Sequence, residues 1–263
     1  MEIDGRVVVV TGAARGIGRA LARRFANSDA AGVVVADINA EGAEATAKEI
    51  GALGVACDVT DEASVSALVA EAVSRYGRID VFCSNAGIAV GGGPETEIDD
   101  WNRIWAVNVM SHVLVARHVL PGMLARKEGY ILGTVSAAGL LNHVFAAPYG
   151  TTKAAALSFF EWLAIAHGDD GIRVSCLCPQ GVRTDMLAAE SRVGLEFLTA
   201  NALEPEQVAD IVVEGIRSEK FLILPHPEVA EYFQRKAGDY DRWLNGMRRM
   251  RRLVLAASSS SSS

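Results

Sequence analysis

A tyrosine and a lysine, Tyr149 and Lys153, stand four residues apart among small and apolar residues in the stretch PYGTTKAAAL. If this stretch is helical, both side chains lie on one face of the helix. An ammonium beside a phenol stabilises the phenolate and lowers a phenol pKa that starts near ~10. A phenol tuned in this way can act as a general acid or base near neutral pH. For a Tyr-x3-Lys match taken alone, a surface helix pair without chemistry is the alternative.

A serine, Ser136, ends the apolar run GYILGTVS and precedes this pair by thirteen residues. Its hydroxyl could hold a substrate oxygen in place while the phenol of Tyr149 moves a proton. An ordinary hydroxyl at the end of a strand is the alternative. The three residues together predict proton transfer at an alcohol or a carbonyl oxygen.

A glycine-rich stretch, TGAARGIG, directly follows the run RVVVV near the start of the chain. Gly12, Gly16 and Gly18 have the spacing G-x3-G-x-G, which differs from the commonest dinucleotide fingerprint. Glycines permit a tight turn and let backbone N–H groups approach a pyrophosphate at the start of the next helix. A turn without a ligand is the alternative, but the position after a four-valine run favours a cofactor.

The second apolar run ends in Asp37, about 20 residues past the glycines, where a carboxylate can bond the ribose hydroxyls of a dinucleotide. A carboxylate there repels a 2′-phosphate, so Asp37 predicts NAD rather than NADP. A helix N-cap is the alternative, although Asn39 is better placed for it. Arg15 lies in the glycine-rich stretch and could contact a phosphate, which weakens the preference for NAD.

Apolar runs alternate with amphipathic stretches along the whole chain, so we predict an α/β fold with one doubly wound, Rossmann-type parallel sheet of seven strands and helices on both faces. Strands are predicted at 6–10, 32–37, 54–59, 80–85, 129–136, 173–178 and 221–225. Helices are predicted at 17–27, 41–50, 62–76, 99–126, 149–167 and 205–218. Ligands of such sheets bind beyond the carboxyl ends of the strands.

The chain shows no linker and no repeat, so a single domain is predicted over residues 1–257. Within it, residues 184–204 are interpreted as a substrate lid and residues 226–257 as a charged helical appendage. Residues 258–263 are all serine and are predicted to be a disordered tail.

The composition excludes several classes of function. The 263 residues carry a net charge of −7, which argues against a nucleic-acid partner. No apolar stretch is long enough to span a membrane and no signal peptide opens the chain, so a cytoplasmic protein is predicted. The four cysteines have no disulfide-like or zinc-like spacing, so reduced buried thiols and no metal site are expected.

The ordered set of these motifs resembles the short-chain dehydrogenase/reductase family over roughly residues 5 to 225. Each motif is weak alone, whereas the set in this order is specific. The resemblance rests on TGAARGIG at 11–18, Asp37, Asp58, SNAG at 84–87, Asn108 in WAVNV, Ser136, Tyr149 with Lys153, and 179–184.

The resemblance implies a catalytic set and a binding site for NAD. Asn108 would hold a water that relays a proton from Lys153, Ser136 would orient the substrate oxygen, and Tyr149 would transfer the proton. Lys153 would also bond the nicotinamide ribose. The cofactor-binding residues it implies are Gly12, Arg15, Gly16, Ile17, Gly18, Asp37, Asp58, Val59, Asn85, Ala86, Gly87, Tyr149, Lys153, Pro179, Val182 and Thr184.

One motif departs from the family pattern P-G-x-V-x-T, because this chain has PQGVRT at 179–184. Gln180 stands where the family has glycine, and Gly181 follows it. We expect Gln180 to direct an amide into the substrate pocket.

Two segments, 137–148 and 184–203, are expected to form the substrate pocket. Their apolar residues predict a hydrophobic secondary alcohol or ketone, such as a steroid, a terpene, or a cyclic or aryl-alkyl alcohol; packing among themselves is the alternative. For His143 a solvated loop position is the alternative. The apolar rims are Leu140, Leu141, Val144, Phe145, Met186, Leu187, Leu195 and Phe197. The candidate substrate-binding residues are Ser136, Ala138, His143, Tyr149, Gln180 and Met186.

The leading prediction is an NAD-dependent dehydrogenase, and the resemblance implies a homodimer or homotetramer built through the long helices 99–126 and 149–167. An NADPH-dependent reductase of 3-ketoacyl thioesters and a non-catalytic NAD sensor are the alternatives. The arginine-rich stretch 242–256 is interpreted as an arm packed on a neighbouring subunit, with a membrane-surface helix as the alternative.

Overall fold

A seven-stranded parallel sheet organises the chain, in the order β3-β2-β1-β4-β5-β6-β7. The computed structural model describes residues 1–190 and 199–260. Strand order reverses between β1 and β4, so a crevice opens at the carboxyl ends of these two strands. This confirms the predicted fold class. The strands are β1 Val7–Thr11, β2 Gly32–Asp37, β3 Leu53–Ala56, β4 Val81–Ser84, β5 Gly129–Thr134, β6 Ile172–Leu177 and β7 Leu222–Ile223.

Helices cover both faces of the sheet. A short π-helical turn, Ala106–Met110, joins α4 to α5. The α-helices are α1 Gly16–Ala26, α2 Ala40–Ile50, α3 Glu62–Tyr76, α4 Ile98–Trp105, α5 Ser111–Arg126, α6 Ala137–Leu141, α7 Ala147–His167, α8 Asp185–Glu190, α9 Pro205–Arg217, α10 Glu228–Gly238 and α11 Tyr240–Ser260.

The four-valine run of β1 explains why the strand is apolar throughout. Successive side chains of a strand point to opposite faces. Val9 packs into the core on one face of the sheet, whereas Val8 and Val10 pack into the core on the other face. Both faces of this central strand are therefore buried, as a parallel sheet with helices on both sides requires.

The predicted single helix over 99–126 is corrected by the π-helical turn Ala106–Met110, which divides it into α4 and α5. A π turn inserts an extra residue into the helical ladder, and such turns are frequent at functional sites. Here the inserted turn contains Asn108. Hydrophobic periodicity does not detect a one-residue insertion, because the helix continues on both sides.

The predicted fifth strand ends two residues early, at Thr134, and the segment expected to be a loop contains the short helix α6. The Oγ of Ser136 accepts a hydrogen bond of 3.0 Å from the Ala138 backbone N–H and caps this helix. A serine at an N-cap satisfies a backbone donor that the helix leaves unpaired.

The C-terminal appendage forms two helices, α10 and α11, and α11 continues through Ser260. The expected disorder of the serine tail is thus wrong for 258–260, because each residue added to a formed helix gains one backbone hydrogen bond. Residues 261–263 lie outside the described part of the chain, as do Leu195 and Phe197 of the predicted lid.

All four cysteines are buried free thiols, as predicted. Within residues 1–190 and 199–260, no helix is both long and apolar enough to cross a membrane.

Candidate active site

A cleft of about 2160 Å³ runs along the carboxyl edge of the sheet. One end lies against the glycine-rich stretch and the ends of β2 and β3. The other end is closed by α10 and α11. The catalytic set named above, with the exception of Asn108, lines the cleft between these two ends.

Close packing of backbone segments explains two glycines of the stretch TGAARGIG. Gly12 has a φ of +65°, and a Cβ there would lie 2.8 Å from the Cα of Ala86. At Gly18 a Cβ would overlap the carbonyl of Gly12. The turn that aims α1 at the cleft therefore needs both glycines.

The N-terminus of α1 faces the cleft without a side-chain cap from the described residues. In contrast, Asn39 caps α2 and Asp61 caps α3. The first N–H groups of a helix are orphan donors, and together with the helix dipole they favour an anion. This end of α1 fits a pyrophosphate.

Asp37 lies at the carboxyl end of β2 with its carboxylate turned toward the glycine-rich stretch. Its Oδ2 accepts from the Ala14 N–H at 3.0 Å, and its Oδ1 accepts from the Asn39 N–H at 3.0 Å. Asn39 caps α2 through the Gly42 N–H. The helix-cap role therefore belongs to Asn39, and Asp37 is held in the cleft wall by two backbone donors.

Asp58 and Val59 also line the cleft, beyond the end of β3. The Oδ1 of Asp58 accepts from both the backbone N–H and the hydroxyl of Thr60. Asp61 caps α3 through the N–H groups of Ala63 and Ser64. The cap of α3 is therefore Asp61, and the carboxylate of Asp58 is bonded to the turn at Thr60.

Asn85 ties three strand ends together. Its Nδ2 donates to the Thr11 carbonyl at 2.9 Å, and its Oδ1 accepts from the Thr134 hydroxyl at 3.0 Å. The backbone N–H groups of Asn85 and Ala86 donate to Oγ1 of Thr11. Since the amide side chain is engaged within the protein, Asn85 shapes the cleft floor mainly through its position between β1, β4 and β5.

Lys153 is buried, with 3% of its surface exposed, and its Nζ donates to the Thr134 carbonyl at 2.9 Å. The same Nζ lies 5.7 Å from the centre of the Tyr149 ring, one helical turn away on α7. Burial disfavours the charged ammonium and lowers the pKa of Lys153 to about 8. A cation that titrates near neutral pH thus stands beside the candidate phenol.

Replacing Lys153 by methionine is expected to change how stability depends on pH. The pKa of Lys153 is about 8 in the folded protein and 10.5 in its ordinary state. Between these values the unfolded chain binds more protons, so the free energy of unfolding of the parent rises with pH. Denaturation of both proteins from pH 7 to 10.5 should show the parent gaining up to about 3 kcal/mol relative to Lys153→Met. A constant difference over this range would contradict a buried ammonium.

Asn108 is fully buried in the π-helical turn, and its amide is paired with the backbone of Ile88. Oδ1 accepts from the Ile88 N–H at 2.9 Å, and Nδ2 donates to the Ile88 carbonyl at 2.9 Å. A Cβ on Gly87 would lie 3.3 Å from Nζ of Lys153 and 3.4 Å from Oδ1 of Asn108. The amide oxygen and the ammonium therefore both lie beside Gly87, and Oδ1 has a second lone pair besides the one that accepts from Ile88.

Ser136 is 8% exposed and faces the cleft at the end of β5. Its Oγ accepts from Ala138, so the hydroxyl hydrogen remains available to an oxygen in the cleft. Gly139 brings α6 against α7, because a Cβ there would lie 2.8 Å from the Lys153 carbonyl. This contact sets the spacing between the serine and the tyrosine-lysine pair.

His143 is half-buried between α6 and α7, which corrects the solvated loop position considered for it. Its Nδ1 accepts from the Phe145 N–H at 3.2 Å, and its ring meets the Tyr149 ring edge-on at 6.3 Å. Burial lowers the pKa of His143. A neutral imidazole therefore forms part of the cleft wall next to Tyr149.

The other predicted pocket residues lie in the same half of the cleft, which includes Ala138, Gln180 and Met186. Of the apolar rims, Leu140 is 2% exposed and packs in the core. The remaining described members of the rims line the cleft, namely Leu141, Val144, Phe145 and Leu187.

Sequence reasoning missed a further wall of the cleft, which α10 and α11 supply. Tyr232 of α10 and Trp243, Met247 and Met250 of α11 line it. The arginine-rich stretch 242–256, predicted to be an arm packed on a neighbouring subunit, contributes side chains to the cleft of its own chain. Residues 243, 247 and 250 are spaced to lie on one face of a helix. This spacing is the sequence signal that could have indicated the additional cleft wall.

The sequence of this chain matches one enzyme family. A family model described as short chain dehydrogenase matches residues 6–193. This chain belongs to that family.

Individual relatives extend the comparison beyond the family model. The meso-2,3-butanediol dehydrogenase of Serratia marcescens is 37% identical over 221 residues, which are 81% of this chain and 87% of that protein. The mitochondrial borneol dehydrogenase of Lavandula x intermedia is 37% identical over 70% of this chain and 72% of its own. A short chain dehydrogenase/reductase of Burkholderia phymatum, solved in complex with NAD, superposes with a TM-score of 0.85 at 30% identity, over 92% of this chain and 96% of its own.

Proposed function

We propose that this protein is an NAD(H)-dependent oxidoreductase that interconverts a hydrophobic secondary alcohol and its ketone. The observation that carries the proposal is the buried Lys153 ammonium beside Tyr149, with Ser136 lining the same cleft. Family membership supports an oxidoreductase, and the geometry supports proton transfer at an alcohol oxygen.

In the oxidation direction, Tyr149 accepts the proton of the substrate hydroxyl as a general base. Lys153 stabilises the phenolate by its charge, and Ser136 donates a hydrogen bond that holds the substrate oxygen. When bound, NAD supplies the acceptor for the hydride that leaves the carbinol carbon. Asn108 holds a water that passes the proton on from Lys153. Ketone reduction uses the same groups in reverse.

The site residues fit NAD. The uncapped start of α1 suits the pyrophosphate, and Asp37 suits the free hydroxyls of an adenosine ribose. Arg15, which could have served a 2′-phosphate, forms a 3.0 Å ion pair with Asp185. The remaining cofactor contacts proposed are those named from the family resemblance, from Gly12 through Thr184.

A bulky apolar substrate is proposed because several large apolar side chains line the half of the cleft beyond Tyr149, beside the charged Arg235, Asp239 and Arg242. Phe145, Trp243, Met247 and Met250 line it, and His143 adds a neutral ring. The borneol dehydrogenase relative is named for a terpene alcohol, and the butanediol dehydrogenase relative is named for a secondary diol. Both names support the reaction at a secondary alcohol.

Self-association to a homodimer or homotetramer is also proposed. Trp105 of α4 is 41% exposed, and Trp162 and Ile165 of α7 are 58% and 83% exposed. Large apolar side chains on neighbouring helices favour contact with a second copy. We also propose that the chain is a single domain in which residues 184–204 form the substrate lid.

The test of the proposed function is NADH formation from NAD with a series of secondary alcohols, from short aliphatic alcohols to terpene and steroid alcohols. Turnover of a bulky apolar alcohol supports the proposal. Turnover confined to 3-ketoacyl thioesters with NADPH would favour the reductase alternative. NADH binding without turnover of any of these compounds would favour a sensor.

Shortening Trp243 to alanine is expected to reduce turnover of bulky alcohols selectively. The indole lines the cleft, so its loss should lower kcat/KM about tenfold for a terpene alcohol and less than about twofold for a short aliphatic alcohol. The matched control is Leu253→Ala, on the same helix but 63% exposed. An equal loss with both alcohols would show that α11 does not contact the substrate.

A further inference from the structure

A buried histidine outside the proposed catalytic set joins two segments at the edge of the cleft. We propose that His226 is a positioning residue that fixes the segment 179–184 and thereby the affinity for the cofactor. The inference rests on the proposed function, because that segment carries three proposed contacts to the nicotinamide end, Pro179, Val182 and Thr184.

His226 follows β7 and is 4% exposed. Its Nδ1 lies 3.2 Å from the backbone nitrogen of Gln180, and its Nε2 lies 3.3 Å from the carbonyl oxygen of Asn201. A backbone N–H can only donate, so Nδ1 must be unprotonated. A carbonyl can only accept, so Nε2 carries the hydrogen. One neutral tautomer therefore satisfies both bonds.

The backbone of His226 is itself held in place. Its carbonyl accepts from the Val229 N–H at 3.1 Å at the start of α10. The imidazole thus extends from a fixed point and reaches across to Gln180, forty-six residues earlier in the chain. A side chain anchored in this way can set the position of a backbone segment rather than follow it.

Other bonds join the segment 179–184 to residues 203 and 204. The two hydrogen bonds of His226 add to these links. The Arg183 N–H donates to the Leu203 carbonyl at 2.9 Å, and the Leu203 N–H donates to the Gly181 carbonyl at 3.2 Å. Arg183 and Glu204 form an ion pair of 2.9 Å at the surface. An exposed ion pair contributes little. The two bonds of His226 are therefore the side-chain links expected to hold the beginning of the segment.

The bond to Gln180 matters more for the cofactor than the bond to Asn201. Gln180 directly follows Pro179 and lies two residues before Val182, whose side chain is 5% exposed against the cleft. Without an acceptor, the Gln180 N–H would be a partly buried unpaired donor, and the backbone would shift to satisfy it. Such a shift would move Val182 and Thr184 together.

The test compares three variants by their dissociation constants for NADH, measured by fluorescence without any substrate. His226→Asn keeps an acceptor near the position of Nδ1, whereas His226→Gln keeps a donor near the position of Nε2. His226→Phe keeps the volume and loses both bonds. We expect Kd to rise about tenfold in His226→Phe and His226→Gln and less than about threefold in His226→Asn.

With a substrate identified, KM for NAD should rise in parallel while kcat changes less than about threefold, because His226 touches no reacting atom. The control is His167→Gln, at the end of α7, which should leave Kd unchanged. Lowered thermal stability with an unchanged Kd in all three variants would overturn the proposal in favour of a purely structural role. If the parent binds NADH but turns over no alcohol, the proposed function is contradicted. The NADH dissociation constants of the three His226 variants can still be compared in that case.

Discussion

Replacing Tyr149 by phenylalanine is expected to lower kcat for alcohol oxidation by about 10³-fold, within the range that general acid–base catalysis contributes. The change removes one oxygen atom and keeps the ring that packs against His143. Without the phenol, the substrate hydroxyl loses its proton acceptor. We do not expect Lys153 to replace it, because the Nζ of Lys153 is directed to the Thr134 carbonyl.

The dissociation constant for NADH should change less than about threefold in Tyr149→Phe, which separates chemistry from cofactor binding. A matched control is Tyr76→Phe, at the end of α3, where the ring packs on Gly32 away from the cleft. Its activity should equal that of the parent. Retention of more than about a tenth of the parent kcat by Tyr149→Phe would show that another group moves the proton.

The second large effect concerns the choice of cofactor. The parent is expected to use NAD with a kcat/KM at least about 10²-fold above that for NADP. Two unit charges 4 Å apart repel by about 4 kcal/mol at the effective dielectric constant of a protein surface. The Asp37 carboxylate lines the cleft, and at the adenosine ribose proposed for this end it would meet a 2′-phosphate with that repulsion.

Asp37→Asn should narrow the preference for NAD to less than about tenfold, mainly by improving use of NADP. The amide keeps an oxygen that can accept from the Ala14 N–H of the glycine-rich stretch, while the bond from the Asn39 N–H is lost. The matched control is Asp58→Asn, a carboxylate-to-amide change at the end of the next strand, which should leave the ratio near that of the parent. Equal use of both cofactors by the parent would contradict the role of Asp37.

The sheet could be predicted from the sequence because its central strands are almost entirely apolar. The run Val7 to Val10 has no polar side, which only a strand buried on both faces permits. The positions of the strand ends then follow from the topology. For this reason the sequence predicts the glycine-rich stretch, Asp37, Ser136 and the tyrosine-lysine pair at one edge of the sheet.

Three features of the site could not be read from the sequence, since each depends on a tertiary contact. The π-helical turn aims Asn108 at Ile88, and no periodicity marks a single inserted residue. The fold of α11 over its own cleft depends on contacts between segments distant in sequence. The engagement of Asn85 with Thr11 and Thr134 requires three strands to be in register.

The most direct test of the central claim follows the hydride itself. A secondary alcohol that the protein accepts, carrying deuterium on its carbinol carbon, is incubated with the protein and NAD, and the reduced cofactor is analysed by mass spectrometry. We expect reduced cofactor that contains one deuterium per molecule, formed at equal rates by the parent and by Tyr76→Phe and about 10³-fold more slowly by Tyr149→Phe. Reduced cofactor without deuterium, or labelled cofactor formed equally fast by Tyr149→Phe, would contradict this expectation.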